Sequence, residues 1–204
     1  MSITLRDVEE QDLENILGLN NAAGVSILPI SMRRLQQLER VSRYFRLAEV
    51  NGEIAGFLVG LTPDADYDSP NFLWFQERYA DGGFLYIDRV VVDDRFRRHG
   101  IGRVLYCDVL SFAEVRFPTL CCEVFIEPRD DVSLIFFGTN DFTEVGQQQL
   151  AGGRQVSLMT KPLRPFEFVQ QSYLDGKSAA QLPAYVREDR ISRREARWAA
   201  RMSA

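Results

Sequence analysis

The sequence predicts an α/β fold built on a mixed β-sheet, antiparallel at both ends and with a parallel crossover in the middle. Residues 84–92 form a nearly unbroken apolar and β-branched run, which is typical of a central strand covered on both faces. Residues 102–116 place apolar side chains at helical spacing, so a helix can carry the chain to a parallel neighbour at 120–125. Strand pairs separated by turn residues flank this unit, and they favour antiparallel sheet on either side.

The N-terminal part predicts one strand, two helices and a hairpin. Residues 3–7 alternate apolar and polar side chains, and the apolar residues that follow recur at helical spacing until Asn20-Asn21. Ser31 is placed to cap a second helix that runs to about Val41. Asn51-Gly52 then joins two strands, 45–50 and 54–61, as a two-residue hairpin turn.

Residues 62–83 make a connection that is long for a compact domain. The segment is acidic first, with Asp64, Asp66 and Asp68, and then aromatic. Aromatic side chains in a long polar loop are consistent with a lid or a pocket wall. They are equally consistent with a satellite cluster that packs the loop down, and the sequence leaves both open.

The C-terminal part predicts a short helix at 131–138 and a hairpin of strands 143–149 and 155–161. We therefore place one domain at residues 1–164 and a C-terminal extension at 165–204. Ser192 to Glu195 match a capping box, so the extension is expected to contain an amphipathic helix. That helix would dock on its own domain or on a partner subunit, which leaves a homodimer open; contact of this arginine-rich tail with nucleic acid is the weaker alternative.

Composition excludes several classes of protein. The 204 residues are 46% hydrophobic and 26% charged, with no apolar run of membrane-spanning length and no signal-peptide pattern. Cys107, Cys121, Cys122 and a single histidine do not suggest a disulfide framework or a metal site, so the cytoplasm is the default compartment. The formal charge of −5 argues against a general nucleic-acid binder.

The loop between the central strand and its helix, residues 97–102, has the composition of an anion site. It reads Arg-Arg-His-Gly-Ile-Gly, and free backbone N–H groups at a helix start attract negative charge. A dinucleotide fingerprint would need a third glycine where Leu105 stands, and a nucleotide P-loop would need a Gly-Lys-Ser/Thr sequence that is absent. The pattern that remains is Arg-x-x-Gly-x-Gly between a strand and a helix.

The segment YIDRVVVDDRFRRHGIGRVL, residues 86–105, resembles the coenzyme-binding segment of the GNAT superfamily of coenzyme A-dependent N-acyltransferases. The predicted order of elements over residues 3–161, about four-fifths of the chain, is also similar to that family's. Residues 71–88 and the CCEVFIEP sequence at 121–128 further resemble a bacterial branch of predicted acetyltransferases. The resemblance implies a central sheet whose middle strands splay apart, and acetyl-CoA as co-substrate with no metal.

The resemblance also implies which residues hold the coenzyme. Backbone N–H groups of 98–103 would cradle its pyrophosphate, with Arg97, Arg98 or Arg103 adding charge. Backbone groups of Val90 and Val92 would pair with the pantetheine arm as an added strand does. The expected coenzyme-binding residues are Val90, Val91, Val92, Arg97, Arg98, His99, Gly100, Ile101, Gly102 and Arg103, with Asp130 and Phe137 at two further family positions.

Acyl transfer to an amine needs a base, because a free amine with a pKa near ~10 is mostly protonated at neutral pH. Asp88 is the first candidate, since it is a carboxylate in an apolar strand, and we expect it on the same strand face as Val90 and Val92. It is either functional or paired with a cation such as Arg89. Glu123, on the next strand, is the second candidate, alone or through a water shared with Asp88; otherwise it is a structural partner of an arginine.

The sequence departs from the family pattern after the second of these strands. Asp130 replaces an asparagine, and Phe137 replaces the tyrosine that usually protonates the departing thiolate. Tyr106, Tyr86 or solvent could supply that proton. His99 lies inside the loop, where no carboxylate is placed to orient it, so a Ser-His-Asp hydrolase is not supported.

The sequence therefore predicts an N-acetyltransferase that moves an acetyl group from acetyl-CoA directly to a primary amine of a small molecule or a peptide. The acceptor would approach between residues 22–30 and the insertion 62–83. The alternative is a coenzyme A-binding sensor or scaffold in which catalysis was lost with the tyrosine. Tight binding of acetyl-CoA without turnover would distinguish the two.

Overall fold

The computed structural model describes residues 2–24 and 26–202, and for residues 80, 198 and 201 the backbone alone. A seven-stranded sheet in the order β1-β2-β3-β4-β5-β7-β6 forms its centre. The strands are β1 Ile3–Asp7, β2 Tyr44–Val50, β3 Glu53–Leu61, β4 Leu85–Val92, β5 Thr119–Glu127, β6 Thr143–Gln149 and β7 Gln155–Pro162. The main helices are α1 Leu13–Ala22, α2 Met32–Val41, α3 Pro70–Tyr79, α4 Ile101–Ala113 and α5 Asp131–Gly138.

The predicted mixed sheet is confirmed. β4 and β5 pair in parallel, and every other neighbouring pair of strands is antiparallel. The two predicted hairpins are present, β2 with β3 and β6 with β7. The predicted cap of α2 is also present, since the Ser31 hydroxyl accepts a hydrogen bond from the Arg34 amide at 3.2 Å.

Helices cover both faces of the sheet, and each face has its own apolar core. Leu13 and Ile16 of α1 pack on one face with α2 and α3, which we call the α1–α3 face. Leu105 and Val109 of α4 pack on the other with α5, which we call the α4–α5 face. A strand covered on both sides has to be apolar throughout, which accounts for the composition of β4.

The insertion 62–83 differs from the long polar loop that the sequence predicts. It contains α3, and Phe72 and Phe75 of this helix are fully buried in the main core of the α1–α3 face rather than in a satellite cluster. Two of its acidic residues are ion-paired, Asp64 with Arg43 at 2.9 Å and Asp68 with Arg34 at 2.5 Å. The insertion is therefore a packed wall of the molecule.

β4 and β5 separate after three residue pairs. The pairing runs from Leu85–Leu120 to Ile87–Cys122 and then stops, while β4 stays paired with β3 and β5 with β7. Each strand keeps one neighbour, so the sheet divides here into two arms with an opening between them. The splayed middle strands implied by the resemblance are confirmed.

The C-terminal extension contains a longer helix, Arg190–Met202, after shorter helical segments at 167–174, 179–181 and 184–187. This helix contacts the chain's own domain through its first turns. The Arg190 side chain is only 3% exposed and pairs with Glu39, and Arg193 pairs with Asp7 at 2.8 Å. Within residues 2–24 and 26–202, no helix is long and apolar enough to cross a bilayer.

Candidate active site

A cleft of about 830 Å³ occupies the opening between the two arms of the sheet. Its floor is the separated ends of β4 and β5, and one end is closed by the start of α4. Ala23, Ser26 and Ile27 line it from the segment after α1, whereas none of the described residues that line it comes from the insertion 62–83, which we expected from the sequence on the other side of the acceptor's approach. The cleft thus joins the predicted anion loop to both candidate carboxylates.

The loop at the start of α4 has the backbone that an anion site needs. Gly100 is the N-cap of the helix and has φ of 82°, in the left-handed region that glycine adopts without strain. Gly102 follows in the first turn. A Cβ on Gly102 would meet Val92 Cγ2 at 3.7 Å, an ordinary contact, so the packing of the protein itself does not require glycine there. The absent side chain instead leaves the first N–H groups of α4 open toward the cleft.

The cations around this loop differ in their availability. Arg97 is ion-paired with Asp94 at 2.8 Å, whereas Arg98 and Arg103 are exposed and have no ion-pair partner in the described part of the chain. His99 is exposed, and its Nδ1 lies 2.8 Å from the carbonyl oxygen of Arg97. Arg98 and Arg103 are therefore the guanidinium groups free to meet a phosphate.

The remaining candidate coenzyme residues all line the cleft, but they differ in the exposure of their side chains. Val90 and Val92 line the cleft and are partly exposed. Val91 and Ile101 are 2% and 1% exposed, so they present backbone rather than side chain. Phe137 is 5% exposed and packs against Phe142, and Asp130 accepts hydrogen bonds from the amide and hydroxyl of Ser133 at the start of α5.

These features fit coenzyme A. An open helix start and two unpaired guanidinium groups suit a pyrophosphate, and β4 offers unpaired backbone where β5 has diverged. Among the described residues no cluster of histidine, cysteine and carboxylate side chains is arranged to hold a metal ion.

Both candidate carboxylates lie at the apex of the opening. Ile87 and Cys122 are the last paired residues of β4 and β5, and Asp88 and Glu123 follow them directly. The divergence of two adjacent strands therefore brings two carboxylates, distant in sequence, to the bottom of one cleft.

Asp88 is held by two donors. Tyr67 donates its hydroxyl hydrogen to Asp88 Oδ1 at 2.5 Å, and Arg89 Nε donates to Oδ2 at 2.6 Å. The Asp88 side chain is 3% exposed and that of Arg89 is 10%, so this is a buried ion pair. A second guanidinium nitrogen of Arg89 donates to Asn20 of α1 at 2.8 Å.

The prediction that Asp88 lies on the same strand face as Val90 and Val92 is wrong. The register of β3 with β4 shifts between Val59–Arg89 and Gly60–Ile87, so Asp88 is the extra residue of a β-bulge. Val90 and Val92 pack toward the α4–α5 face, whereas Asp88 meets Tyr67, which belongs to the core of the α1–α3 face. A bulge breaks the strict alternation of a strand, which also lets the neighbours Asp88 and Arg89 reach each other.

Glu123 has the environment of a group that titrates near neutrality. Burial, together with the negative charge of Asp88, raises the pKa of Glu123 to about 7, against the lowering effect of hydrogen bonds from Tyr86 and Asn71. The Tyr86 hydroxyl donates to Glu123 Oε2. A base poised at this value is well matched to proton transfer at neutral pH.

The two tyrosines considered as acids differ in their surroundings. The Tyr86 hydroxyl is engaged with Glu123, and burial followed by the charge of Glu123 raises its pKa. Burial raises the pKa of Tyr106 to about 12, and its buried hydroxyl has no hydrogen-bond partner within residues 2–24 and 26–202. Neither is disposed to release a proton at neutral pH.

Sequence reasoning missed Tyr67, Asn71 and Asn20 as neighbours of the carboxylates. Tyr67 and Asn71 come from the insertion, and Asn20 from the last turn of α1. Pro70 in the first helical position and the Phe72–Phe75–Tyr79 spacing are the signals that could have placed α3, and Asn71 with it.

Comparisons with known proteins agree with this geometry. The family model described as "Acetyltransferase (GNAT) family" matches residues 13–130, which include the insertion, the loop and both carboxylates. No curated protein matches the sequence significantly.

Solved structures share the fold. Ard1 from Thermoplasma volcanium has a TM-score of 0.64 at 19% identity, covering 80% of this chain and 99% of that one. The ribosomal-protein-S18-alanine N-acetyltransferase from Escherichia coli has a TM-score of 0.62 at 17% identity, covering 81% and 96%. NAA60 from Arabidopsis thaliana, in complex with a bisubstrate analogue, has a TM-score of 0.62 at 14% identity, covering 79% and 98%. At identities this low, the likeness establishes the fold.

Proposed function

Because this chain belongs to the acetyltransferase (GNAT) family, we propose that it transfers an acetyl group from acetyl-CoA to a primary amine by direct attack. The observation that supports this most is the position of Glu123, a half-buried, cleft-lining carboxylate with a pKa of about 7 at the apex of the splayed strands. The helix start that suits a pyrophosphate opens on the same cleft.

The coenzyme, when bound, supplies an activated thioester carbonyl. Arg98, Arg103 and the first N–H groups of α4 hold its phosphates, and the unpaired backbone of β4 beyond Ile87 aligns its pantetheine arm. The divergence of β5 therefore fixes where the thioester lies relative to the carboxylates.

Glu123 is the base in this proposal, and Asp88 tunes it. Both Asp88 oxygens are occupied by Tyr67 and Arg89, while the negative charge of Asp88 keeps the pKa of Glu123 high. Glu123 accepts a proton from the amine nitrogen, which forms the C–N bond to the acetyl carbon as the C–S bond breaks. The electron pair leaves on sulfur, and the thiolate takes its proton from solvent, since a thiol with pKa near ~8.5 is a fair leaving group without a dedicated acid.

Free-thiol release from acetyl-CoA across a library of primary amines, including peptides with free N-termini, tests this assignment. We expect turnover with at least one amine, rising with pH through about 7 because Glu123 must be ionised. Glu123→Gln should lower turnover by about 10²- to 10⁴-fold. Calorimetry should show that the variant still binds acetyl-CoA.

Tight binding of acetyl-CoA with no turnover of any amine would instead support the sensor or scaffold module. Turnover that survives in Glu123→Gln but is lost in Asp88→Asn would move the role of base to Asp88.

A further inference from the structure

The cleft between the two arms reaches both faces of the sheet. Some of its lining residues, such as Ile101 at the start of α4 and Phe137 of α5, belong to the core of the α4–α5 face. Others belong to the core of the α1–α3 face or pack against it, and these are Ile27, Val91 and Phe125. We call the part of the cleft lined by these three residues the acceptor side. The helix start that suits the coenzyme opens on the other face, so the acceptor side is left for the amine.

On β5 the acceptor side runs from Glu123 to Phe125. The pairing of β5 with β7 is regular from Glu123–Leu158 to Phe125–Val156, so the side chains of Glu123 and Phe125 leave the same face of the strand. Neighbouring positions on one face of a strand are roughly 7 Å apart. A group a few bonds beyond an amine nitrogen at Glu123 therefore comes to the ring of Phe125.

The wall around Phe125 is apolar. Phe125 is 8% exposed and packs in the core of the α1–α3 face. Ala23 and Ile27 pack against the same core, but they are half-exposed and line the cleft from the segment after α1. Ser26 is the polar side chain that this segment adds to the lining. Apolar surface that is open to water is stabilised when an apolar group covers it, so this wall favours an apolar ligand.

The charged groups of the acceptor side favour a cation over an anion. The carboxylates of Asp88 and Glu123 both line the cleft. The Arg89 guanidinium beside them is already engaged, since it donates to Asp88 at 2.6 Å and to Asn20 at 2.8 Å, and its side chain is 10% exposed. A carboxylate on the acceptor would therefore meet two carboxylates and a cation that already has its partners.

We propose that Ile27 and Phe125 determine the specificity of the acceptor site, which takes a primary amine carried on an uncharged apolar group such as an arylalkyl chain. The inference rests on the proposed function and names its substrate class. The two carboxylates attract the amine in its ammonium form, and the apolar group covers Ile27 and Phe125.

Three small amines test the substrate class by binding alone. 2-Phenylethylamine has the proposed features, ethanolamine carries a hydroxyl in place of the phenyl group, and phenylalanine adds a carboxylate to 2-phenylethylamine. Calorimetry on protein saturated with coenzyme A, which has no acetyl group to transfer, gives the Kd of each amine. We expect 2-phenylethylamine to bind more tightly than either of the others by about tenfold or more.

Substitutions test the two residues. Ile27→Ser changes a half-exposed side chain, so it tests the wall with little risk to the fold. It should reduce the preference for 2-phenylethylamine over ethanolamine to about threefold or less, both in Kd and in the kcat/KM of thiol release from acetyl-CoA. Phe125→Ser should do the same if its melting temperature shows that it is folded, whereas Phe125→Leu keeps the wall apolar and should retain most of the preference. Phe168→Ser, at an exposed phenylalanine of the C-terminal extension, is the matched control and should change neither measurement.

The outcomes separate this proposal from the proposed function. Failure of 2-phenylethylamine to bind more tightly than ethanolamine, or phenylalanine binding as tightly as 2-phenylethylamine, overturns the substrate class. A preference that is unchanged in Ile27→Ser overturns the role of this wall. Selective binding of 2-phenylethylamine with no turnover of any amine supports the apolar amine site and overturns the proposed acetyl transfer.

Discussion

Glu123 is the residue whose pKa the fold shifts toward the value that suits a catalytic base. It follows Cys122, the last residue of β5 that pairs with β4, it is shielded from solvent, and it lies near the carboxylate of Asp88. Both conditions disfavour the ionised form. The hydrogen bonds from Tyr86 and Asn71 act the other way, which leaves the pKa about 7 rather than higher.

This perturbation should be visible in the stability of the protein. The pKa of Glu123 is raised from 4.5 in the unfolded chain to about 7, so its contribution to stability is present below pH 4.5 and is lost as pH rises through 7. Glu123→Gln does not ionise and escapes that loss. Relative to the wild type, its free energy of unfolding should increase by about 2 to 3 kcal/mol between pH 5 and pH 8.5, as measured by urea denaturation.

Glu127→Gln is the matched control, because Glu127 is exposed at the end of the same strand. Its difference from the wild type should stay constant with pH. A constant difference for Glu123→Gln as well would show that Glu123 is not perturbed, and it would remove the main support for Glu123 as base.

At the residue scale the sequence indicates which carboxylates are candidates for the site, because burying an acidic side chain in an apolar strand costs free energy unless it has a partner or a function. It does not indicate their partners. Tyr67 and Asn71 reach the apex from an insertion that is sequentially remote from β5, and only the folded chain brings them there. The bulge at Asp88 has no signal in its own strand either, since neither glycine nor proline occurs between Ile87 and Arg89; the one glycine nearby, Gly60, lies on the partner strand.

At the scale of elements, α3 is the one that the sequence did not predict. Aromatic side chains lower helix propensity, and the Asp-Gly-Gly sequence that follows suggests a loop. The helix forms because burying Phe72 and Phe75 in the core stabilises it by more free energy than their low helix propensity costs. Elements with ordinary signals, such as α2 with its serine cap, were predicted with nearly their observed bounds.

The C-terminal helix Arg190–Met202 docks on its own domain through several ion pairs. Arg190 donates to the carbonyl oxygen and the carboxylate of Glu39, and Arg194 also pairs with Glu39 at 2.9 Å. Arg193 adds the pair with Asp7, and Asp189 lies 3.2 Å from Arg43. Arg190, the most buried of these groups, is the natural point at which to test the element.

We expect Arg190→Ala to release this helix without unfolding the sheet. Removing Arg190 takes away the more buried of the two arginines that pair with Glu39, and Arg194 is the partner that stays. Hydrogen exchange of the amides at 190–200 should therefore accelerate by about 10- to 30-fold, while the amides of β2 and β3 keep their rates.

Arg197→Ala tests the same helix at an exposed arginine and should leave exchange unchanged. Unchanged exchange in Arg190→Ala would show that other contacts hold the helix. Faster exchange in β2 and β3 would show that the extension is part of the main cooperative unit.

At the scale of the whole molecule, the sheet consists of two arms that are joined by three residue pairs of one parallel strand contact. The order of elements was predictable because periodicity and turn residues limit the topologies that a mixed sheet allows. Which pair of strands would diverge was implied only by the resemblance, since Val90 to Val92 and Val124 to Ile126 read as strands that could have paired throughout. The divergence is also where the molecule lacks internal contacts, so a ligand bound there should stabilise the whole fold.

Coenzyme A, added at about 100 times its Kd, should raise the free energy of unfolding by about 2.7 kcal/mol and hence the melting temperature by roughly 5 to 10 °C. Binding fills the opening between the arms through the helix start and the unpaired edge of β4, so the effect requires neither Asp88 nor Glu123. Differential scanning calorimetry with and without coenzyme A measures the shift.

Gly102→Ala is the variant that separates the coenzyme contact from the stability of the fold. Its Cβ makes an ordinary contact with Val92 and alanine favours a helix, so without ligand the variant should melt at or above the wild-type temperature. The same methyl group stands over the N–H groups of the helix start and should reduce the coenzyme-dependent shift to less than half. A full shift in Gly102→Ala would place the phosphates elsewhere, and no shift in the wild type would mean that the opening between the arms does not take coenzyme A.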